Sequence, residues 1–332
     1  MPGKVKPSAE ERLIARHFRP LATHPGAFGL ADDAAAIAVP PGSDLVLTTD
    51  GVIAGVHVFA DDPPELIARK ALRMNLSDLA AKGATPLGFL LALSLPADTK
   101  SAWIAAFARG LGDDASHYGC PLLGGDTDRT PGPAAVSIAA FGAVPRGKMV
   151  RRSTAKVGDV VVVTGTIGDA ALGLKLCRDA RLAERWRLGK AEAAHLIRRY
   201  RMPQPRNALA HAVLRYASAA LDISDGLAGD LDKLCRRSRV AAEIDVAKVP
   251  LSKAARAAIK SDPGLVDAVL TGGDDYEIAL TVAPKKLAAF QRAAKAAAVP
   301  VTEIGRVRRG EGARFVRDGE ALKFARPAYS HF

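Results

Sequence analysis

The chain has 332 residues, 48% of them hydrophobic and 25% charged, which is enough to bury a full core and points to two domains rather than one. A net charge of +12 with only 5% aromatic residues offers no stacking platform for single-stranded nucleic acid. The scattered basic residues read as a solvated surface, with anionic small ligands as the next reading. The longest uncharged apolar runs, near 86–96 and 134–144, are too short to span a bilayer, and the opening MPGKVKPSAEE lacks an apolar signal segment. The three cysteines, Cys120, Cys177 and Cys235, form neither a CxxC pair nor a disulfide framework. A soluble cytoplasmic protein is expected.

In chain order, Ser8-Ala9-Glu10-Glu11 is a capping box that opens a helix to about residue 18. LADDAAAI sets Asp32 and Asp33 into a run that looks like a buried strand. Strands are expected at 34–39 and 45–49, joined by the turn Pro40-Pro41-Gly42-Ser43-Asp44. Pro63-Pro64-Glu65 starts a longer helix that Gly83 ends, with Leu72, Leu76 and Leu79 as its buried stripe and Ala71, Asn75, Asp78 and Lys82 along another face. A strand over 87–95, a helix over 101–117 and a strand over 134–144 follow. The polar, basic RGKMVRRSTAKVGD then marks a domain boundary near residue 150. DVVVVTGTIGDAALGLKL reads as strand, glycine turn and helix. Strands near 219–223, 241–246, 276–282 and 301–307, with helices between them and notably over 283–298, continue an α/β alternation.

Aspartates recur in a common setting: LADD (Asp32, Asp33), VLTTDG (Asp50), NLSD (Asp78), LLGGDTD (Asp126), LDISDG (Asp222, Asp225) and LTGGDD (Asp274, Asp275). Most are expected where a hydrophobic strand runs out. A single Asp-Gly pair is ordinary turn chemistry. Carboxylates gathered at strand ends, however, repel one another unless cations bind between them. Oxygen donors without a histidine or cysteine cluster suit Mg²⁺ or Mn²⁺, and such ions usually share their shell with substrate phosphates. The glycines of GGD and TGTIG let backbone N–H groups approach a phosphate. A plain tight turn explains Gly165-Thr166-Ile167-Gly168 equally well and Gly124-Gly125-Asp126 less well. Walker, dinucleotide-loop and HRD or DFG signatures are absent.

In this order, GLADDAAAI, VLTTDGVIAGVHVF, KALRMNLSDLAAKGATP, LLGGDTDR, VTGTIGDAALGL, LDISDGLAGDL and LTGGDDYEIAL resemble the bacterial thiamine-monophosphate kinase family. That family is part of the aminoimidazole ribonucleotide synthetase-like ATP-binding superfamily. The resemblance spans nearly the whole chain, to the closing AYSHF. It implies a two-domain α+β / α/β fold: residues 1–150 as an N-terminal ATP- and Mg-binding domain that dimerises through its sheet, and residues 151–332 as a C-terminal α/β domain. It implies a homodimer using ATP and thiamine monophosphate with several Mg²⁺ ions, and no nucleic-acid or membrane partner. The activity implied is direct in-line transfer of the γ-phosphoryl group to thiamine monophosphate, the final step in making thiamine diphosphate.

Carried over by motif position, the resemblance makes Asp33, Thr48, Thr49, Asp50, Asp78, Asp126, Asp222 and Asp225 metal ligands. Asp33, Asp50, Asp78, Asp126 and Asp222 are the catalytic carboxylates. Gly125, Asp126, Arg152 and Ser224 match ATP-site positions, and His57, Asp274 and Tyr329 match positions near the thiamine phosphate. By themselves His57 reads as a structural histidine, Tyr329 as packing and Arg152 as a solvated turn. Two departures stand out: Ala31 replaces a family glycine and is strained if its φ is positive, and Asp274 stands where glutamate is common, a methylene shorter. The alternatives are another superfamily enzyme with a carbonyl oxygen or selenide as acceptor, selenide being disfavoured by the absence of a cysteine near the N-terminal glycine-rich segment, and a basic binding protein for nucleic acid or thiamine sensing.

Overall fold

The computed structural model describes residues 7–326, 328 and 329. The chain forms two compact units, Met1–Leu79 with Pro86–Gly147, and Ala80–Thr85 with Lys148–Phe332.

In the first unit, helix α1 (Ala9–Leu13) starts on the expected capping box: Ser8 Oγ accepts from Glu11 N while the Glu11 carboxylate accepts from Ser8 N. The helix continues to Phe18, but as a π-turn over Ile14–Phe18. The unit's sheet contains β1 (Ser43–Ile53), β2 (Thr85–Pro96), β3 (Leu122–Thr130) and β4 (Ala135–Pro145) in the order β1-β4-β2-β3. β1 and β4 run antiparallel from Ser43↔Pro145 to Ile53↔Ala135, and β2 and β3 run parallel with Leu91 opposite Gly125. Helix α2 (Pro64–Ala81) buries Leu72, Leu76 and Leu79 completely. Helix α3 (Ser101–Tyr118) stops at Gly119, whose φ of 61° gives a left-handed cap. Arg69 and Arg73 of α2 clamp Asp114 of α3 at 2.6 and 2.5 Å.

Strand alternation divides the sheet into two faces. Val46, Val52, Leu91, Leu93, Ile138 and Ala140 are buried, whereas Leu45, Leu47, Ile53 and Leu90 are exposed, Leu47 by 62%. One face is a core and the other is open.

Two expectations are corrected in this unit, and one strand is new. Residues 34–39 belong to no strand and are half to fully exposed. Their alanines bury too little surface to hold a ladder, and the segment is anchored by Ala36 N donating to Gly26 O at 2.8 Å. LLGGDTD is itself a strand, β3. Finally, Asp50 and Asp126 lie inside β1 and β3, paired with Ile138 and Ala92, not where a strand runs out.

The second unit has a sheet of β5 (Val160–Thr164), β6 (Ala217–Asp222), β7 (Ala241–Asp245), β8 (Ile278–Val282), β9 (Val301–Arg308), β10 (Gly312–Arg317) and β11 (Glu320–Ala321), in the order β11-β10-β7-β9-β5-β8-β6. Its helices are α4 (Asp169–Arg178), α5 (Leu182–Arg185), α6 (Lys190–Arg201), α7 (Ala210–Tyr216), α8 (Leu227–Ser238), α9 (Lys253–Ser261), α10 (Leu265–Thr271) and α11 (Pro284–Ala296). The strand–helix alternation produces a mixed sheet: β10 and β7 are parallel, while β5 is antiparallel to both β8 and β9. β5 is buried along its whole length because its valines feed two cores. Val161 and Val163 pack with Leu227, Leu231 and Leu234, and Val160 and Val162 pack with Leu209, Val213 and Phe290. A third cluster seats Trp186 among Leu172, Leu196 and Ala255. Among the described residues, no helix is long and apolar enough to cross a membrane.

Candidate functional site

The first unit holds a cleft of about 810 Å³ with Phe18, Leu30, Leu90 and Phe141 among its apolar walls and Asp32, Asp33 and Asp126 among its polar ones. Asp33 lies on an exposed loop in which Asp33 N donates to Asp32 Oδ1 at 2.8 Å. The expected strain at Ala31 is absent, since its φ is −109°. Positive φ falls instead on Phe28 (48°) and Leu30 (55°), on either side of Gly29, whose carbonyl accepts from Arg19 Nε at 2.9 Å. Asp126 projects from the edge strand β3 with Oδ1 accepting from Thr127 N at 2.8 Å. Gly125 is required by the sheet: a Cβ there would lie 1.8 Å from Leu91 O.

Thr48 and Asp50 share the covered face of β1, where Thr48 Oγ1 donates to Asp78 Oδ2 of α2 at 2.5 Å. Thr49 points to the opposite, open face and is exposed. Asn75, one turn before Asp78 on α2, donates from Nδ2 to Ala71 O at 3.0 Å. His57 is pinned, its Nδ1 accepting from Ile53 N at 3.1 Å and its carbonyl accepting from Lys70 Nζ at 3.0 Å. In the neutral ring this puts the proton on Nε2, as a donor.

In the second unit the motif residues gather on one loop. Asp222 ends β6, and Ser224 and Asp225 lead through Gly226 into α8. Asp230, buried on the first turn of α8, ties this loop down: its Oδ2 accepts from Ser224 N at 3.1 Å and Asp225 N at 2.9 Å. Burial raises the Asp230 carboxyl above its ordinary value, with Lys233 opposing and Asp225 reinforcing the shift. The 272–277 segment crosses the same loop, Asp274 N donating to Ser224 O at 2.9 Å and Tyr276 N to Ile223 O at 2.8 Å. Asp274 and Tyr276 both take left-handed φ, 71° and 49°, and the Tyr276 hydroxyl donates to Asp274 Oδ1 at 3.3 Å. Tyr329 returns here as well, its N donating to Asp225 O at 3.0 Å while its side chain stays exposed. Arg152 is exposed, and its carbonyl accepts from Ser238 Oγ at 3.0 Å.

The glycine turn before α4 proves structural. Gly168 N and Ala170 N donate to the fully buried Asp275 at 2.7 and 3.3 Å, so an internal carboxylate caps this helix. Burial pushes the Asp275 carboxyl well above the usual range, against these amide bonds and the charge of Arg199. A Cβ on Gly165 would strike Glu277 Oε1 at 2.1 Å. Glu277, also fully buried, accepts from Thr164 Oγ1 at 2.6 Å, Arg199 at 2.8 Å and Arg206 Nε at 2.6 Å. Beside it Asp169 accepts from Thr166, Ser252 and His195 at 2.6, 2.5 and 3.1 Å. Burial pushes the Asp169 carboxyl up, but these bonds outweigh it and hold the group below the usual carboxylate value.

Among the described residues no three His, Cys, Asp or Glu side chains converge closely enough to cage an ion. The available donors are hard oxygens offered singly or in pairs, which suits a divalent ion that completes its shell with water and phosphate. The motif reading counts Asp275 among the recurring aspartates but assigns no role to it, nor to Asp230 and Glu277 inside the quoted motifs, and does not reach Lys233. The Asp230–Lys233 spacing of three on a helix was a visible signal, whereas the partners of Asp275 and Glu277 lie far away in sequence.

Residues 31–144 match the family model "AIR synthase related protein, N-terminal domain", and residues 156–318 match "AIR synthase related protein, C-terminal domain". The thiamine-monophosphate kinase of Caulobacter vibrioides is 42% identical over 329 residues, covering 98% of this chain and 91% of that protein. The crystal structure of thiamine-monophosphate kinase from Stenotrophomonas maltophilia K279a superposes with a TM-score of 0.84 at 39% identity, covering 95% of this chain and 98% of that one. AaThiL complexed with AMPPCP and TMP superposes with a TM-score of 0.78 at 30% identity, covering 92% and 97%. Family models, full-length identity and superposition agree, and the chain belongs to the thiamine-monophosphate kinase family within the AIR synthase related proteins.

Proposed function

We infer that the chain transfers the γ-phosphoryl group of ATP to the phosphate of thiamine monophosphate, giving thiamine diphosphate and ADP. The observation that carries this reading is the near-full-length identity with thiamine-monophosphate kinases. The match to AaThiL, which was complexed with AMPPCP and TMP, adds an ATP analogue and the acceptor on a relative of the same fold.

Several Mg²⁺ ions belong to this reading, with Asp33, Thr48, Thr49, Asp50, Asp78, Asp126, Asp222 and Asp225 shared among them as ligands. Hard-oxygen donors that do not form a closed cage fit an ion that also binds phosphate. The bound ions supply charge neutralisation between donor and acceptor phosphates. Thr48 orients the Asp78 carboxylate through its hydroxyl, and the Thr127 amide orients Asp126. Gly125, Asp126, Arg152 and Ser224 contact ATP, and His57, Asp274 and Tyr329 contact the thiamine phosphate. His57 offers Nε2–H as a donor to an anion, its Nδ1 being committed to Ile53 N. A phosphate monoester with a second pKa of about 6 is mostly dianionic at neutral pH and attacks without a general base. Transfer is therefore direct.

Residues 1–150 form the ATP- and Mg-binding, dimerising domain in this reading, and residues 151–332 the α/β domain. The homodimer is supported by the open apolar face of Leu45, Leu47, Ile53 and Leu90. The working location is the cytoplasm, where ATP is available.

The test is product formation with Mg²⁺-ATP and either thiamine monophosphate or free thiamine, with EDTA as the metal control. Thiamine diphosphate from the monophosphate alone, and a loss of about a hundredfold or more in kcat for Asp126→Asn, is the expected result. ADP release without thiamine diphosphate overturns the acceptor assignment.

A further inference from the structure

One peptide group, that joining Asp275 to Tyr276, lies in the left-handed stretch of the 272–277 segment with both of its polar ends held. Its N–H donates to Ile223 O at 2.8 Å. Its carbonyl, Asp275 O, accepts from Nη2 of Arg199 at 3.1 Å, and the same nitrogen donates to Glu277 Oε1 at 2.8 Å. Arg199 comes from α6, distant in sequence, and its side chain is only 8% exposed. A flip of that peptide plane would turn the Asp275 carbonyl away from Arg199 and carry Tyr276 from its φ of 49° to the negative φ that a bulky residue ordinarily adopts. A left-handed tyrosine persists where its surroundings over-determine it, and here Arg199 and Ile223 grip the two ends of the peptide that sets its φ. Tyr276 is itself buried, and its hydroxyl donates to Asp274 Oδ1 at 3.3 Å. The contacts therefore run from a buried guanidinium, through one peptide plane and one phenol, to a carboxylate that the proposed function sets against thiamine monophosphate.

We propose that Arg199 is a positioning residue for thiamine monophosphate: by holding the Asp275 carbonyl it fixes the left-handed turn at Tyr276, and with it the direction in which Asp274 faces the substrate. This rests on the reading of Asp274 as a substrate contact. Arg199 has two separable roles. As a counter-ion to Glu277 it affects stability, and removing both charges together, in R199M/E277L, offsets the desolvated charge that either single change leaves behind. As a donor to the Asp275 carbonyl it acts on the backbone of the site, and that bond is lost in R199M/E277L as well. Because a single nitrogen makes both contacts, the ammonium of a lysine can supply them in part, whereas a methionine, which has no donor, cannot.

The test is a double-mutant cycle on the full chain, with thiamine diphosphate as the product followed, for wild type, R199M, D274A and R199M/D274A, beside R199K and R199M/E277L, and with Tm measured for each. R199M/E277L takes the place of R199M in the cycle where the single variant does not fold. D274A raises KM for thiamine monophosphate. R199M raises it by roughly tenfold, the scale of one charge-assisted hydrogen bond, leaves KM for ATP unchanged, and adds less than about twofold in the D274A background, since it acts through Asp274. R199K lies between wild type and R199M, and R199M/E277L melts above R199M yet keeps the raised KM. An equal rise from R199M with and without Asp274, or a KM that returns to the wild-type value in R199M/E277L as Tm recovers, would refute the positioning role and leave Arg199 a counter-ion. If D274A leaves KM for thiamine monophosphate unchanged, the substrate reading of Asp274 fails and the positioning role with it. Wild type that makes no thiamine diphosphate overturns the function itself and this role with it.

Discussion

Replacing Glu277 by glutamine keeps the shape of the side chain and removes the charge that two guanidinium groups face. Glu277 is fully buried, Arg199 is nearly so, and Arg206 is 19% exposed. Thr164 adds a hydroxyl donor at 2.6 Å. Breaking a buried pair by neutralising one partner costs about 3–5 kcal/mol, because the remaining charge is left desolvated without a counter-ion. A unit of this size loses about 2–4 °C in Tm per kcal/mol, which gives a fall of roughly 6–20 °C. The chain has two tryptophans, Trp103 on α3 of the first unit and the buried Trp186 in the second. In a Trp103→Phe background, fluorescence follows the second unit alone. Thermal melts of this variant with and without Glu277→Gln measure the cost, and Glu277→Leu combined with Arg199→Met recovers part of it if desolvated charge is the cause. A fall below about 2 °C would show that water or rearrangement satisfies the arginines, and the reasoning would be wrong.

Further outcomes follow from individual positions. Gly125→Ala places a methyl 1.8 Å from Leu91 O, whereas Gly124→Ala meets Leu90 Cδ2 at 3.3 Å. Urea unfolding is expected to show about 1–3 kcal/mol or more lost at position 125 and much less at 124, and equal losses would remove steric approach as the reason for the glycine. Burial pushes the thiols of Cys120 and Cys235 up to about 12, so a chromogenic disulfide reagent at pH 8 is expected to modify Cys177 alone in the folded protein and all three cysteines in denaturant. The Asp169 carboxyl is held below its ordinary value. Its stabilising contribution is therefore present above the unfolded value of about 3.9 and is lost as pH falls through the lower folded value. Urea midpoints between pH 6 and 2 are expected to fall with a smaller slope for Asp169→Asn, and an unchanged slope would exclude Asp169 as a source of acid sensitivity.

Local chemistry was the most legible part of the sequence. Ser8 and Glu11 satisfy each other's backbone groups within one turn, and the Leu72, Leu76 and Leu79 stripe declares its own helix face. Where structure depends on distant partners, the reading failed. β3 was assigned no element because its glycines have low strand propensity, yet Gly125 is there to let Leu91 O approach. Residues 34–39 looked like a strand but have no neighbour in the sheet. The TGTIG turn fitted a phosphate cradle until Asp275, more than a hundred residues away, was seen to cap it. In the same way, Ala31 raised a concern about strain that the structure places at Phe28 and Leu30. Motif positions singled out Ser224, Asp225, Asp274 and Tyr329, and the structure docks the segments of Asp274 and Tyr329 onto the loop of Ser224 and Asp225. Asp230, which holds that loop, lies inside LDISDGLAGDL, but its role there depends on the fold of the loop back onto α8 and is not visible in the motif.

Direct phosphoryl transfer to thiamine monophosphate is tested most directly by a single turnover of γ-labelled ATP on excess protein, quenched in time and resolved into protein, nucleotide and thiamine fractions. Label is expected in thiamine diphosphate at the rate at which ADP forms, with none retained on the protein. Labelled protein that forms before the product, or ADP that forms without labelled thiamine diphosphate, would contradict it.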